Sequence, residues 1–310
     1  MRQNRSVTLQ LSVGLPNFGS WIGPDGWHTF PQLARMAEDA GIDRVVLVDH
    51  VSMGVNTSAY RWGRFPTTPN APWPEPLTLL AGMAALTQRI TLATGVVLPS
   101  LRGATLFAKT ASTLDVMSQG RLELGVGVGW QREEYDAAGV DWADRADIFD
   151  ETLDATCRLW TESPASFDGH HVRFTDTFVS PQPVRNGGVP LLIAGTLTTR
   201  NLARIARLGS GWIPIMGASL ADVTDGIRRV TAAIADSGRS VSRLLTQVPV
   251  PLERLGDSWS LDATMANIPA VIETGATIAH LPFHMFCTDS SDAARVFENI
   301  RIRFDREVSA

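Results

Sequence analysis

The stretch Gly120-Arg-Leu-Glu-Leu-Gly-Val-Gly-Val-Gly-Trp130 decides how this chain is read. A strand-like run, Leu122 to Gly127, ends in glycines at 125, 127 and 129, and Trp130 follows at once. Glycine has no Cβ, so a flat ligand or a neighbouring backbone can lie directly against the chain. At the end of a barrel strand, that run followed by an indole suits a planar heteroaromatic cofactor. The other reading of the same residues is tight packing between elements, with Trp130 as a core aromatic.

Outward from this run, similar segments recur in both directions. Strand-like stretches are Thr8–Leu15, Arg44–Asp49, Ile90–Leu98, Leu122–Gly127, Pro190–Ala194, Gly211–Ile215, Leu244–Pro251 and Thr277–Leu281. Helical patterns separate them: Pro31–Ala40, Pro76–Thr87, Ala104–Met117, Arg145–Trp160, Arg200–Leu208, Ala221–Ala235 and Leu261–Glu273, with Asp292–Phe304 closing the chain. Repeated βα units imply parallel strands with right-handed crossovers. Apolar runs such as Val45-Val46-Leu47-Val48 imply strands covered on both faces. Eight such units in 310 residues favour an α/β fold closed as a (β/α)8 TIM barrel, with an open doubly wound sheet as the alternative. Residues 1–310 are read as one domain. Two connections are too long for plain loops: 50–75 after the second strand, and 136–189 after the fourth. The second contains a helix and a hairpin-like stretch, Phe167 to Phe174. In a barrel, segments that follow strands lie on the catalytic face, so these insertions are candidate walls.

Composition excludes several functions. A net charge of −5 argues against a general nucleic-acid role. No run nears the roughly 20 apolar residues that span a bilayer. Met1 to Gln10 has no apolar stretch of signal-peptide length. The two cysteines, Cys157 and Cys287, have no metal-like or redox spacing and read as reduced thiols. The expectation is a cytoplasmic protein with no metal and no membrane contact. The glycines follow G-x-G-x-G, not the dinucleotide fingerprint. The single lysine, Lys109, follows Ala108, so there is no phosphate-loop G-K pair, and no G-x-S-x-G elbow occurs.

The ordered set of motifs resembles the luciferase-like monooxygenase superfamily, and within it the coenzyme F420-dependent oxidoreductases. The resemblance rests on Gly14-Leu-Pro-Asn-Phe18, Asp49-His50, Glu75-Pro-Leu-Thr-Leu79, Arg89 to Leu98, Ala108 to Arg121, and the glycine run itself. It continues through Glu134, Ala138-Gly139, Asp144-Arg145, Asp150 to Leu153, Ser180-Pro-Gln-Pro-Val184 and Pro190 to Gly195. It implies hydride transfer between coenzyme F420 and a small organic substrate. The same scaffold serves flavin mononucleotide (FMN) monooxygenases, which is the alternative; a non-catalytic cofactor-binding protein is the third reading. It also implies a homodimer formed through early helices.

The resemblance marks candidate site residues, each with a structural alternative beside it. His50 would sit beside the reactive edge of the cofactor and move a proton, or else pack the following loop. Asp49 would contact the ring or fix that loop. Thr94-Gly95-Val96 would back the ring through a cis Gly95–Val96 bond, or form a regular strand. Gly127, Gly129 and Trp130 would line the cavity. Ala194, Gly195, Thr196 and Thr199 would hold the cofactor phosphate before a helix, or Thr196 or Thr198 would cap that helix. Arg61, Arg64 and Arg102 are candidate rim cations or else solvated surface charges, and Trp21, Trp27, Trp62 and Trp73 are candidate pocket walls or else packing residues. Asp144-Arg145 and Asp150-Glu151 read as structural.

Overall fold

The computed structural model describes residues 9–23, 26–241 and 243–309. Thr8, the expected start of the first strand, and residues 1–8 of the N-terminal segment lie outside them. In chain order the strands are β1 (Gln10–Gly14), β2 (Arg44–Leu47), β3 (Thr91–Val97), β4 (Leu122–Val126), β5 (Ala165–Asp168), β6 (Arg173–Thr177), β7 (Leu191–Ala194), β8 (Gly211–Ile213), β9 (Leu245–Pro249), β10 (Arg254–Leu255), β11 (Ser258–Trp259) and β12 (Ile278–Pro282). The helices are α1 (Gln32–Asp39), α2 (Pro76–Leu86), α3 (Ala104–Met117), α4 (Arg132–Ala137), α5 (Arg145–Thr161), α6 (Thr199–Leu208), α7 (Leu220–Asp236), α8 (Leu261–Met265), α9 (Ile268–Glu273) and α10 (Ala293–Ser309).

Eight parallel strands, β1, β2, β3, β4, β7, β8, β9 and β12, close on themselves, β12 pairing with β1. The closed barrel therefore replaces the open-sheet alternative. Its strands are buried on both faces, which is why β2 reads Arg-Val-Val-Leu without polar alternation. Outward-facing Leu11, Val13, Val45 and Leu47 join the main core with Phe30, Leu33, Leu80 and Met83 of the helical layer.

Inside the barrel the two sides differ. Leu192, Leu245 and Ile278 form a separate apolar cluster with Ile213. Across from it, Arg44 of β2 reaches Glu123 of β4, and Ser12 Oγ lies 3.0 Å from His280 Nδ1. Arg44 is fully buried, and burial pushes its guanidinium down to about 9.

The segment 136–189 supplies the helix α5, which packs on α3, and then the antiparallel pair β5–β6. This hairpin lies outside the barrel sheet. Asp150 pairs with Arg200 and Arg204 of α6, and Glu151 accepts the N–H groups of His170, His171 and Val172 at the hairpin turn. Those acidic residues dock the insertion.

The expected helix Leu261–Glu273 is two helices, α8 and α9, broken at Ala266-Asn267. Pro269 has no N–H to bond the Met265 carbonyl, and its ring would clash with that carbonyl in a continuous helix. The small hairpin β10–β11 between β9 and α8 was not expected, because two-residue strands leave no periodic signal. No helix among the described residues is long and apolar enough to cross a membrane.

Candidate active site

His50 lies three residues beyond β2, on the face where barrel strands end. Its Nδ1 is 3.1 Å from Glu134 Oε2, and Glu134 is fully buried on α4. The other Glu134 oxygen accepts the Val51 N–H at 2.6 Å. An ionised carboxylate only accepts, so a hydrogen bond between the two puts the hydrogen on Nδ1 and leaves Nε2 on the side of the ring away from Glu134. Gln131, also buried, accepts the Gly54 N–H at 2.8 Å and donates to the carbonyls of Gly54 and Asn56. The short α4 thus clamps the segment after β2 and sets the His50 ring at once.

Aromatic rings surround that imidazole. Trp73 lies edge-on at 4.7 Å, Trp130 at 5.7 Å and Phe65 at 6.2 Å. Tyr60 meets Phe65 and Trp130 at 5.3 and 5.4 Å, and burial raises its phenol. Phe18, from the loop after β1, stacks on Trp73 at 4.7 Å. Of the four candidate tryptophans, Trp73 belongs to this wall, and Trp62 touches it through Tyr60 at 5.2 Å. Trp21 and Trp27 pack elsewhere, against Phe283 and Phe30.

Asp49 makes the loop-fixing bonds. Its two oxygens take Arg102 at 2.6 and 3.0 Å, and Oδ2 also accepts the Leu98 N–H at 2.9 Å. Arg102 in turn binds Glu75 Oε1 at 2.7 Å. Burial pushes the Asp49 carboxyl up against the opposing pull of Arg102. Burial also opposes the charge on Arg102, but Asp49 and Glu75 outweigh it and raise that guanidinium. Arg102 is therefore committed to a buried network and is not a free rim cation. Arg61 and Arg64 are exposed and have no ion pair among the described residues.

The floor of the mouth is made of small residues. Gly14, Gly95, Val96, Gly129, Ala194 and Gly195 keep partial exposure where their strands end, although the strands beneath are buried. The Gly95–Val96 bond is cis, where the family resemblance placed it, and the β3–β4 register shifts between Gly95 and Val97. Thr94 points inward, fully buried, with its hydroxyl donated to the Gly125 carbonyl at 2.8 Å. A Cβ on Gly125 would meet the Thr94 carbonyl at 2.3 Å, and one on Gly127 would meet Val96 Cγ2 at 2.9 Å. Those two glycines make room for β3 itself, the packing reading of the run. Gly129 and Trp130 are the members of the run that reach the mouth.

Beyond β7, Gly195 has φ +108°, a conformation side chains resist, and a Cβ there would find only Asn201 Nδ2 at 3.8 Å. Asn201 donates to the carbonyls of Ala194 and Thr196, and Trp212 donates to that of Gly195 at 2.9 Å. Thr198 caps α6 through the Asn201 N–H. Thr196 and Thr199 stay exposed beside the first turn of α6, whose leading N–H groups have no intrahelical partner. A cleft of about 630 Å³ adjoins the aromatic wall, lined by Gly19, Ser20, Arg64, Phe65, Thr67 and Asn70 among others.

Sequence reasoning gave Glu134 no role, because it stands among Arg132, Glu133 and Asp136 and nothing in that charged run marks it as the buried member. Tyr60 and Phe65 fall in an aperiodic insertion and left no signal.

An eight-stranded barrel with its polar pair, aromatic wall and glycine floor gathered at the strand ends is built as a barrel enzyme is built. The sequence profile of the luciferase-like monooxygenases matches residues 11–252. The chain belongs to that family. A protein of uncharacterized function from Mycobacterium tuberculosis is 35% identical over 188 residues, 58% of this chain and 65% of that one. The chain thus spans just under two thirds of that relative. The F420-dependent glucose-6-phosphate dehydrogenase of Nocardia farcinica is 27% identical over 250 residues, 78% of this chain and 68% of that one, and a pyrimidine monooxygenase of Allorhizobium ampelinum is 31% identical over 180, or 55% and 48%. Among solved structures, monooxygenase RslO1 from Streptomyces bottropensis superposes with a TM-score of 0.77 at 19% identity, covering 96% of this chain and 99% of that one. An F420-dependent secondary alcohol dehydrogenase gives 0.72 at 15%, with the same coverage.

Proposed function

We propose that this chain is a coenzyme F420-dependent oxidoreductase moving a hydride between the deazaflavin and a small organic substrate. The observation that carries the reading is the His50–Glu134 pair, held in an aromatic wall beside a side-chain-poor floor. The floor at Gly95–Val96 and Gly129, with Trp130 at its edge, fits a flat ring. The loop Ala194–Thr199 fits its phosphate, with exposed threonine hydroxyls and helix N–H groups. When bound, F420 supplies hydride acceptance or donation. The protein's part is orientation, exclusion of water by the rings, and proton transfer at His50 Nε2. Asp49 acts at one remove, keeping the backbone after β2 tied to Arg102 and Leu98.

FMN with monooxygenation is the second reading, and the commitment of Arg102 favours it, since that removes one cation from the mouth where the F420 tail would lie. Equilibrium dialysis against both cofactors separates the two: retention of F420 with FMN left in solution supports the proposal, and selective FMN uptake overturns it.

The same reading takes the chain as a single domain acting in the cytoplasm, where its free cysteines, Cys157 and Cys287, stay reduced. It also takes a second copy to cover α2 and α3, whose Leu86, Leu106, Val116 and Met117 are exposed.

A further inference from the structure

We infer that the cleft beside the aromatic wall holds the far end of the substrate, and that this end is a single carboxylate gripped by Arg64. The inference rests on the oxidoreductase reading and specifies its substrate class: a monocarboxylic acid with an apolar body between the acid group and the reacting carbon.

Two connections build the cleft. Gly19 and Ser20, from the loop after β1, form one side, and residues 64–72 of the insertion after β2 form the other. Protein bonds alone tie the two sides together. The Gly19 N–H donates to the Pro72 carbonyl at 2.9 Å. Buried Asn17 donates to the carbonyls of Val48 and Pro74 at 2.7 and 3.1 Å, which fixes the roots of both connections. Gly19 has φ +75°, and a Cβ there would meet Thr67 Oγ1 at 3.3 Å, so glycine lets the sides approach. The volume of about 630 Å³ is therefore preformed, and a ligand entering it needs little reordering of the chain.

The lining defines what fits. Arg64 is exposed and has no ion pair among the described residues, and the residues that line the cleft include no acid. Its other polar side chains, Ser20, Thr67, Thr68 and Asn70, are neutral. In a chain of net charge −5, a guanidinium set among hydroxyls and an amide is free to meet an anion. One cation balances one negative charge, and the planar guanidinium matches a carboxylate through two parallel bonds. A phosphate monoester carries nearly two charges and would leave the second uncompensated.

Position gives this anion to the substrate and not to the cofactor. Phe65 lines the cleft and also meets His50 edge-on at 6.2 Å. Phe18, next to Gly19, stacks on Trp73. The cleft thus continues the wall around the imidazole. The loop proposed for the cofactor phosphate follows β7, and β7 stands four strands from β1 in either direction round the barrel. A molecule reaching from His50 to Arg64 runs along Phe65, away from that loop.

The test is calorimetric titration of phenylacetate, phenylacetamide and benzyl phosphate into the wild-type chain, Arg64→Met and Arg64→Lys. Each titration is run with and without the cofactor the protein retains, and circular dichroism checks folding. The wild-type chain should bind phenylacetate about tenfold tighter than its neutral amide, and benzyl phosphate more weakly than phenylacetate. Arg64→Met should abolish the preference for the acid and leave the amide's affinity unchanged, and Arg64→Lys should restore part of that preference. If the methionine variant does not fold, Arg64→Gln carries the comparison. Equal binding of acid and amide, preference for benzyl phosphate, an acid preference that survives in Arg64→Met, or no binding of any probe overturns the inference. So does loss of F420 uptake in Arg64→Met with acid binding intact, which gives the arginine to the cofactor tail. Cofactor choice is read separately: acid binding that depends on Arg64 in a chain that refuses F420 sinks the proposed function and leaves the carboxylate site standing.

Discussion

A carboxylate that fixes one nitrogen of an imidazole decides what the other nitrogen can do. Glu134 holds His50 by Nδ1 from a site with no solvent access, so the account makes His50 the proton-transfer group and Glu134 its positioning residue. His50→Ala should lower kcat/KM by about 10²–10⁴-fold, the usual range for a lost acid–base group. Glu134→Gln should leave the chain folded, lower kcat more than it changes KM, and move the acid limb of the pH–rate profile, measured under saturating cofactor. An unmoved profile would reduce Glu134 to a loop anchor. Asp49 and Arg102 belong to stability. Arg102→Ala leaves the buried Asp49 carboxylate unpaired and should cost about 3–5 kcal/mol in denaturant unfolding. Of these residues, the sequence put Asp49 and His50 in place by their position after a strand. It could not show that Arg102, 53 residues on from Asp49, would claim its carboxylate, because such pairing exists only once β2 and β3 are neighbours.

At the scale of elements, the glycine run does two separate tasks. Gly125 and Gly127 let β4 lie against the bulge of β3, whereas Gly129 and Gly195 shape turns at the mouth. Gly125→Ala drives a Cβ into the Thr94 carbonyl and should lower stability by about 1–3 kcal/mol, seen as a fall in Tm. The sequence showed that small residues were needed but not which neighbour required them. The β1–β12 seam has a pH signature. Burial lowers His280 to about 3, with the nearby Arg44 adding to the shift. Above the ordinary value of about 6.5, both the folded and unfolded states hold a neutral ring. Between that value and about 3 only the unfolded chain takes up the proton, so acid favours unfolding, by at most about 1.4 kcal/mol per pH unit for this one proton. His280→Gln should flatten that part of the stability–pH curve, and equal slopes in both proteins would show that His280 contributes nothing to it. The reading of Leu261–Glu273 as one helix missed the split between α8 and α9, for which Pro269 was the available signal, whereas the β10–β11 hairpin was too short to leave a pattern.

Across the whole molecule, the alternation of apolar strands with amphipathic helices fixed the barrel, and every expected strand is present with its ends shifted by a few residues. Strand ends shift because the last residues of a barrel strand turn into functional loops, where hydrophobicity no longer marks the boundary. The mouth was less legible than the barrel, since its walls come from separate connections, after β1, β2, β4 and β7 among others, whose meeting depends on closure. The proposed reading has a second copy cover the α2–α3 face, where Leu86, Leu106, Val116 and Met117 are exposed. Leu106→Glu should convert a dimer to monomer in light scattering, and a wild-type chain that is already monomeric would remove that part of the account.

The central claim is that the floor at Gly95–Val96, Gly129 and Trp130 seats a deazaflavin ring whose phosphate lies at Gly195–Thr199. Titration of the purified chain with F420, followed by quenching of tryptophan fluorescence, tests it directly. The account predicts saturable quenching at one F420 per chain, lost in Trp130→Ala and weakened when Gly195 is replaced by valine. Absence of uptake, or quenching by FMN alone, would contradict it.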